Sequence, residues 1–295
     1  MKPESPPKGH PHAAATGPPG DSTLPRIANL GHQCPPVLRL GLATRGNTHL
    51  EAEDVVHAVG RGINYLNWCG YNDGLAQAVR EKRFDREQVV MAFQLKGRTR
   101  SAAARELADV LHTLRTDRID VVTFYYVEEE REWEEIRGPG GALETLEEAR
   151  RRGEVRMIGL TTHQRRLGAQ WIEGGRLDLL MIRYNAAHRG AERDVFPVTH
   201  RLGIPVVAFT AQRWGALRKS TADDPAGFTP PPAPEWYRFA LANPSVSVVL
   251  MAPGNRGELE EDLSLLDDWR APRAEDFEKL AAHGQRVRRR AGSFP

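Results

Sequence analysis

Eight short apolar runs alternate with segments of helical spacing, and that alternation limits the fold more than any other feature of the chain. The runs cover 38–44, 63–67, 88–95, 119–126, 155–162, 177–185, 205–211 and 245–252. Helical spacing fills 51–60, 75–81, 102–114, 142–152, 164–173, 191–201, 235–242 and 257–267, and a basic extra helix follows at 274–290. The runs are apolar almost without a break, as strands are when both faces of a parallel sheet are buried. Gly60, Gly153, Gly174 and Gly203 close helical segments, the usual C-terminal punctuation. Eight strand–helix units over roughly 230 residues fit a closed (β/α)8 TIM barrel of the α/β class. A doubly wound open sheet competes, but no Gly-x-Gly-x-x-Gly follows any run.

Residues 1–36 precede the pattern and are rich in Pro, Gly, His and Ala. A segment of that composition cannot bury enough apolar surface to offset its ordering entropy, so it reads as a disordered tail, with an interaction arm as the alternative. The barrel and its extra helix then take 37–295. Basic and acidic side chains number 41 and 39, for a net charge of +2, which suggests neither a nucleic-acid partner nor an anionic membrane. No apolar run reaches the roughly 18 residues of a membrane helix. Cys34 and Cys69 offer neither zinc spacing nor a disulfide framework, so a reducing, cytoplasmic setting is expected. The oligomeric state is left open.

Barrels place function at the carboxyl ends of their strands and in the loops that follow. Those ends read Thr44-Arg45, Asn67-Trp68-Cys69-Gly70-Tyr71, Gln94 with Lys96, Tyr125-Tyr126, Thr161-Thr162-His163, Arg183-Tyr184-Asn185, Thr210-Ala211-Gln212-Arg213-Trp214 and Pro253-Gly254-Asn255-Arg256. They hold no carboxylate pair, no cluster of metal-ligand histidines and no Ser-His-Asp set. That argues against glycosidase, metal hydrolase and serine hydrolase chemistry, and no metal site is expected. A pocket of aromatic rings and amides suits a planar ring held by stacking and hydrogen bonds, with a small molecule as substrate. The acidic stretch Glu128–Glu135 reads as a solvated loop, Cys69 as an inert thiol, and Lys96 as the first solvated residue after its strand.

Several stretches, in order, resemble the aldo/keto reductases, NAD(P)H-dependent (β/α)8 barrels. They are Gly62-Ile63-Asn64-Tyr65-Leu66, Arg118-Ile119-Asp120-Val121-Val122, Gly153-Glu154-Val155-Arg156-Met157-Ile158-Gly159-Leu160, Tyr184-Asn185, Gly203-Ile204-Pro205-Val206-Val207-Ala208 and Pro253-Gly254. The resemblance implies hydride transfer between NADP(H) and a small carbonyl or alcohol. It implies catalytic positions at Asn67, Tyr71, Gln94 and Tyr125, where the family carries Asp, Tyr, Lys and His. Asn67 and Gln94 replace the ion pair that lowers the tyrosine pKa in the family, so the acid site is non-standard. For the cofactor, the resemblance implies Thr161 and Thr162 at the nicotinamide amide, Tyr184 stacked on its ring, Thr210 and Gly254 near phosphate, and Arg256 on a 2′-phosphate. Trp68, Arg183 and Trp214 would line the substrate pocket. Three readings follow: a reductase with a rebuilt acid site, a catalytically silent nucleotide-binding barrel acting as sensor or scaffold, and a non-redox lyase or isomerase on the same frame.

Overall fold

The computed structural model describes residues 24–31, 34–45 and 49–290. Two short strands come first, β1 (Ile27–Ala28) and β2 (Val37–Leu38), paired antiparallel with Ile27 opposite Leu38. Eight parallel strands then close a barrel: β3 (Leu40–Ala43), β4 (Tyr65–Trp68), β5 (Val90–Leu95), β6 (Ile119–Phe124), β7 (Val155–Thr162), β8 (Leu179–Arg183), β9 (Val206–Phe209) and β10 (Val246–Met251). Closure is by β10 onto β3, with Val249 beside Leu40. The outer ring is α1 (Ala52–Gly60), α2 (Gly74–Arg80), α3 (Arg100–Leu114), α4 (Glu130–Arg137), α5 (Ala142–Arg152), α6 (Arg165–Glu173), α7 (Ala191–Asp194), α8 (Phe196–Leu202), α9 (Ala233–Leu241) and α10 (Arg256–Leu263), followed by α11 (Ala274–Arg290).

The barrel and its eight strands are as the sequence leads one to expect, and three local expectations change. Residues 24–36 are not all tail: β1 pairs with β2, and Leu30, Cys34 and Val37 are buried in the interior core of the barrel. Residues 1–23, 32 and 33 of the tail lie outside the described residues. Within the stretch expected to be an acidic loop, residues from 130 on begin α4, because Glu129 and Glu132 form a reciprocal capping box and Trp133 and Ile136 supply a buried face. The single helix expected at 191–201 breaks at Val195, whose φ of −121° is not helical, and resumes with Pro197 in the first turn of α8.

Strand alternation divides the apolar residues into two cores. Tyr65, Val90, Ala92, Val121, Met157, Leu179, Val207 and Val248 point inward and fill the barrel. Their neighbours Leu66, Met91, Val122, Ile158, Leu180 and Ala208 point outward under the helices. Each fully buried leucine or valine of this kind contributes about 1.5–3 kcal/mol. The bottom of the barrel is sealed by the β1–β2 ribbon and by Arg39, whose buried guanidinium donates to the carbonyls of Pro25, Leu241 and Val246 at 3.1, 2.9 and 2.7 Å.

Candidate active site

The same alternation builds the top of the barrel. Counting two residues up from the inward-facing core, or four on β7, brings Asn67, Gln94, Thr123, Thr161, Met181 and Phe209 to one inner layer. A cavity of about 680 Å³ opens above it, and Asn67, Gln94, Met181 and Phe209 form its floor. Cys69, Tyr71, Lys96, Tyr125 and Tyr126 make one wall, and an arm runs between the β9 and β10 loops past Thr210, Gln212, Trp214, Arg218, Tyr237, Gly254, Glu258 and Asp262.

The floor is a neutral hydrogen-bonded chain. The Asn67 amide nitrogen donates to the Cys69 sulfur at 3.7 Å, and the thiol donates to Gln94 Oε1 at 3.6 Å. Gln94 Nε2 donates to Thr161 Oγ1 at 3.3 Å and faces Met181 Sδ at 3.4 Å, and Thr161 donates on to Thr123 at 3.1 Å. Burial, with the nearby Asp73 carboxylate, pushes the Cys69 thiol up to about 11, so it stays protonated at neutral pH. The turn that carries Tyr71 is pinned on both sides. Trp68 Nε1 donates to the Tyr71 carbonyl at 2.7 Å, and Asp73 caps α2 by accepting from Ala76 N at 2.9 Å. Tyr71 is left 49% exposed on the wall.

Tyr125 and Tyr126 follow β6 directly, side by side, with ring centroids 4.4 Å apart. Lys96 Nζ stands 5.8 Å from the Tyr125 ring centroid. Burial raises the Tyr125 hydroxyl above its ordinary value and pushes that of Tyr126 up to about 12, so both are neutral donors. Tyr126 adopts a positive φ of 40°, uncommon outside glycine. Its ring lies stacked on His163 at 4.5 Å and edge-on to Phe209 at 6.0 Å. His163 Nδ1 is 3.1 Å from Glu128 Oε1, which braces the stack. Strained backbone recurs across the mouth at Thr210, Arg213 and Trp214, with φ of 57°, 51° and 52°.

Among the residues singled out from the sequence, Asn67, Tyr71, Gln94, Tyr125, Thr210, Gly254 and Trp214 all line this one cavity. Six do not. Trp68 and Tyr184 have the outward parity of their strands: Trp68 packs on Phe93 at 5.6 Å, and Tyr184 is fully buried between Phe196 and Phe239, donating to Glu192 at 2.7 Å. Thr162 also faces outward, accepting from Gln164 N at 2.9 Å, and the Thr161 hydroxyl is spent within the floor chain. Arg183 is half-buried at the end of β8, close in charge to Glu128, Arg165 and Arg213. Arg256 is held outside the cavity by Asp54 at 2.9 Å and Glu260 at 2.7 Å. Phe209, Tyr126, Gln212 and Glu258 line the cavity without having been assigned roles from the sequence, and Asp262, at the position where the resemblance implies an adenine-facing Asn, lines it too. Parity counted along each strand would have found Phe209 in place of Tyr184.

In the arm, Gln212 Nε2 donates to the Tyr237 hydroxyl at 2.5 Å and to Asp262 Oδ1 at 3.3 Å, and Tyr237 donates to Asp262 Oδ2 at 2.9 Å. Burial raises the Asp262 carboxyl to about 7 despite these bonds. Arg218 donates to both oxygens of Glu261, at 2.9 and 2.8 Å.

A closed eight-stranded barrel with a blind, aromatic, amide-floored cavity at its carboxyl mouth defines the class of protein. The chain belongs to the aldo/keto reductase family, whose family model matches residues 38–237. No curated protein matches it. Its structure is similar to that of the aldo-keto reductase AKR11C1 from Bacillus halodurans in its holo form, at 18% identity over 89% of this chain and 96% of that one, with a TM-score of 0.69. It is likewise similar to an aldo/keto reductase from Klebsiella pneumoniae in complex with NADP and acetate, at 18% identity over 88% and 95% of the two chains, TM-score 0.70. At this identity the likeness is one of fold. No helix among the described residues is long and apolar enough to cross a membrane.

Proposed function

We propose that the barrel is an oxidoreductase that uses a nicotinamide dinucleotide to interconvert a small carbonyl compound and its alcohol, with a tyrosine hydroxyl serving without the family's Asp–Lys pair. One observation carries the reading: Tyr71, Tyr125 and Lys96 line the same cavity wall, facing a floor that includes the Phe209 ring. Phe209 and Tyr126 offer aromatic surface to a planar ring, and Thr210, Gly254 and Asn255 offer hydroxyl, backbone and amide groups along the arm. A bound nicotinamide supplies the hydride. The Tyr125 hydroxyl, kept neutral by burial, donates a hydrogen bond to a carbonyl oxygen, and the nearby Lys96 ammonium offsets negative charge as it develops. Consumption of reduced dinucleotide with a nitrobenzaldehyde tests this. Tyr125→Phe or Tyr71→Phe should lower kcat by about 100-fold or more if that residue is the acid, the usual contribution of such a group. Unchanged rates in both variants would remove the tyrosines from the chemistry.

A second reading has its own support. The floor chain is neutral throughout, and the Tyr126 ring stacked on His163 stands over the β7 end. Both features suit a barrel that binds a nucleotide and turns nothing over. Dinucleotide binding with no turnover on any activated aldehyde would favour it.

A further inference from the structure

Four guanidiniums gather at the β8–β9 corner of the barrel mouth, beside the cavity. Arg183 lies two residues past Met181 and His163 two past Thr161, so strand alternation puts both one layer above the floor. Tyr126 joins this corner to the cavity: it lines the cavity, stacks on His163, and its hydroxyl feels the Arg183 charge. Asn185 fixes the corner. Its amide donates to the Thr210 carbonyl at 2.8 Å, and its oxygen accepts from His188 N at 2.9 Å, with His188 Nδ1 at 3.2 Å. Burial and the charges of Arg183, Arg213, Arg288 and Arg165 push the His188 ring down to about 3, so it is neutral among four cations. Arg165 is seated against the β8 loop, where a Cβ built on Gly190 would meet its Nε at 2.5 Å.

The corner is short of negative charge. Glu128 answers Arg183 but is shared with His163, and Asp194 answers Arg165 at 3.0 Å but is shared with Arg193 at 2.8 Å. The Arg213 Nε is buried with no hydrogen-bond partner among the described residues. A buried donor of that kind is unfavourable until an acceptor reaches it. Arg213 is also held at a φ of 51°, strained backbone of the sort that persists at ligand clamps. The cavity arm runs along the other flank of the β9 loop, toward β10, so a dinucleotide lying in it leaves this corner to the substrate.

We propose, resting on the oxidoreductase reading above, that this corner binds an anionic group, a carboxylate or a phosphate, carried by the carbonyl compound whose reacting end lies at Tyr125. Arg213 is its principal donor, because a forked guanidinium matches the paired oxygens of either group. The surrounding arginines supply the field that draws the anion in.

The test uses the full chain as wild type, Arg213→Gln, Arg288→Gln and Arg201→Gln. The last removes the same charge from an exposed arginine of α8 paired with Glu173. The first readout is kcat/KM for para-carboxybenzaldehyde relative to para-nitrobenzaldehyde, a ratio in which carbonyl reactivity cancels between variants. The second is binding of terephthalate and of inorganic phosphate, followed by thermal shift. Arg213→Gln should lower the ratio about 10- to 100-fold, the usual worth of a charge-assisted hydrogen bond, and weaken terephthalate by a similar factor. Arg288→Gln should lower the ratio about threefold, and Arg201→Gln should leave it within about twofold, as expected of a screened surface charge. A ratio that Arg213→Gln leaves unchanged, an equal fall in Arg201→Gln, or phosphate bound more tightly than terephthalate, which marks a site for free anions, overturns the proposal. Any of these with para-nitrobenzaldehyde still reduced leaves the oxidoreductase reading standing. Failure to reduce either aldehyde overturns that reading and the substrate assignment together.

Discussion

The two ends of this barrel handle buried polarity in opposite ways. At the bottom, Asp120 is fully buried and fully answered: Arg86 at 2.7 Å, Arg156 at 2.9 Å and Arg118 at 3.4 Å, with Met91 N donating at 2.8 Å. At the top, where the family resemblance implies an Asp–Lys pair, Asn67 and Gln94 form an uncharged chain through a thiol and two threonines. Charge organises the frame at the bottom, whereas the cavity floor at the top is neutral. A buried ion that keeps all its partners is tolerable, while one that loses a partner is expensive. The amide floor at the top makes no such demand, and acidic and cationic groups at this end, Tyr71, Tyr125 and Lys96, stand on the cavity wall.

Breaking the bottom should have the largest effect. Asp120→Ala leaves three arginines facing an empty apolar volume, and should destabilise the fold by about 3–5 kcal/mol in chemical denaturation. A loss below about 1 kcal/mol would mean that water reaches the network freely.

The top can be forced back toward charge. Gln94→Lys alone buries an ammonium among Cys69, Thr161 and Met181, and should cost about 3 kcal/mol by the same measurement. Adding Asn67→Asp should recover part of that loss, with a coupling of about 1–2 kcal/mol. Strictly additive losses would show that the two positions no longer form a pair across β4 and β5.

The arm gives the smallest and most specific signal. Asp262 titrates at about 7 in the folded chain, against 3.8 for an ordinary aspartate. The folded state thus holds a proton that the unfolded state releases, so stability falls as pH rises from about 4 to about 7 and is flat above. Asp262→Asn should remove that slope, making the variant more stable than wild type at pH 8 by about 2–3 kcal/mol relative to their difference at pH 5. Parallel stability curves for the two proteins would place Asp262 in contact with solvent.

The frame was legible because its signals are local and periodic: apolar runs of strand length, helical spacing, and glycines such as Gly153 and Gly203 at positive φ past helix ends. The cavity was legible in part, since Asn67 and Gln94 of its floor and Tyr125 of its wall stand at the carboxyl ends of strands the sequence marks out. The misassignments came from partners distant in sequence. Arg256 is diverted by Asp54, a residue of α1, and Tyr184 is enclosed by Phe196 and Phe239 on α8 and α9. No spacing rule carries either contact. The β1–β2 ribbon escaped notice because two-residue strands have no period to read. The helix α4 escaped because its capping box uses Glu129 with Glu132, where a hydroxyl residue is the usual first member.

Because that ribbon, with Arg39 behind it, stoppers the lower end, the described residues leave the barrel closed below and open at its carboxyl mouth. Traffic through that mouth down to the floor has a fixed sequence. A molecule resting on the Gln94–Met181 floor must arrive before anything seated above it, and it cannot depart until the upper occupant has gone.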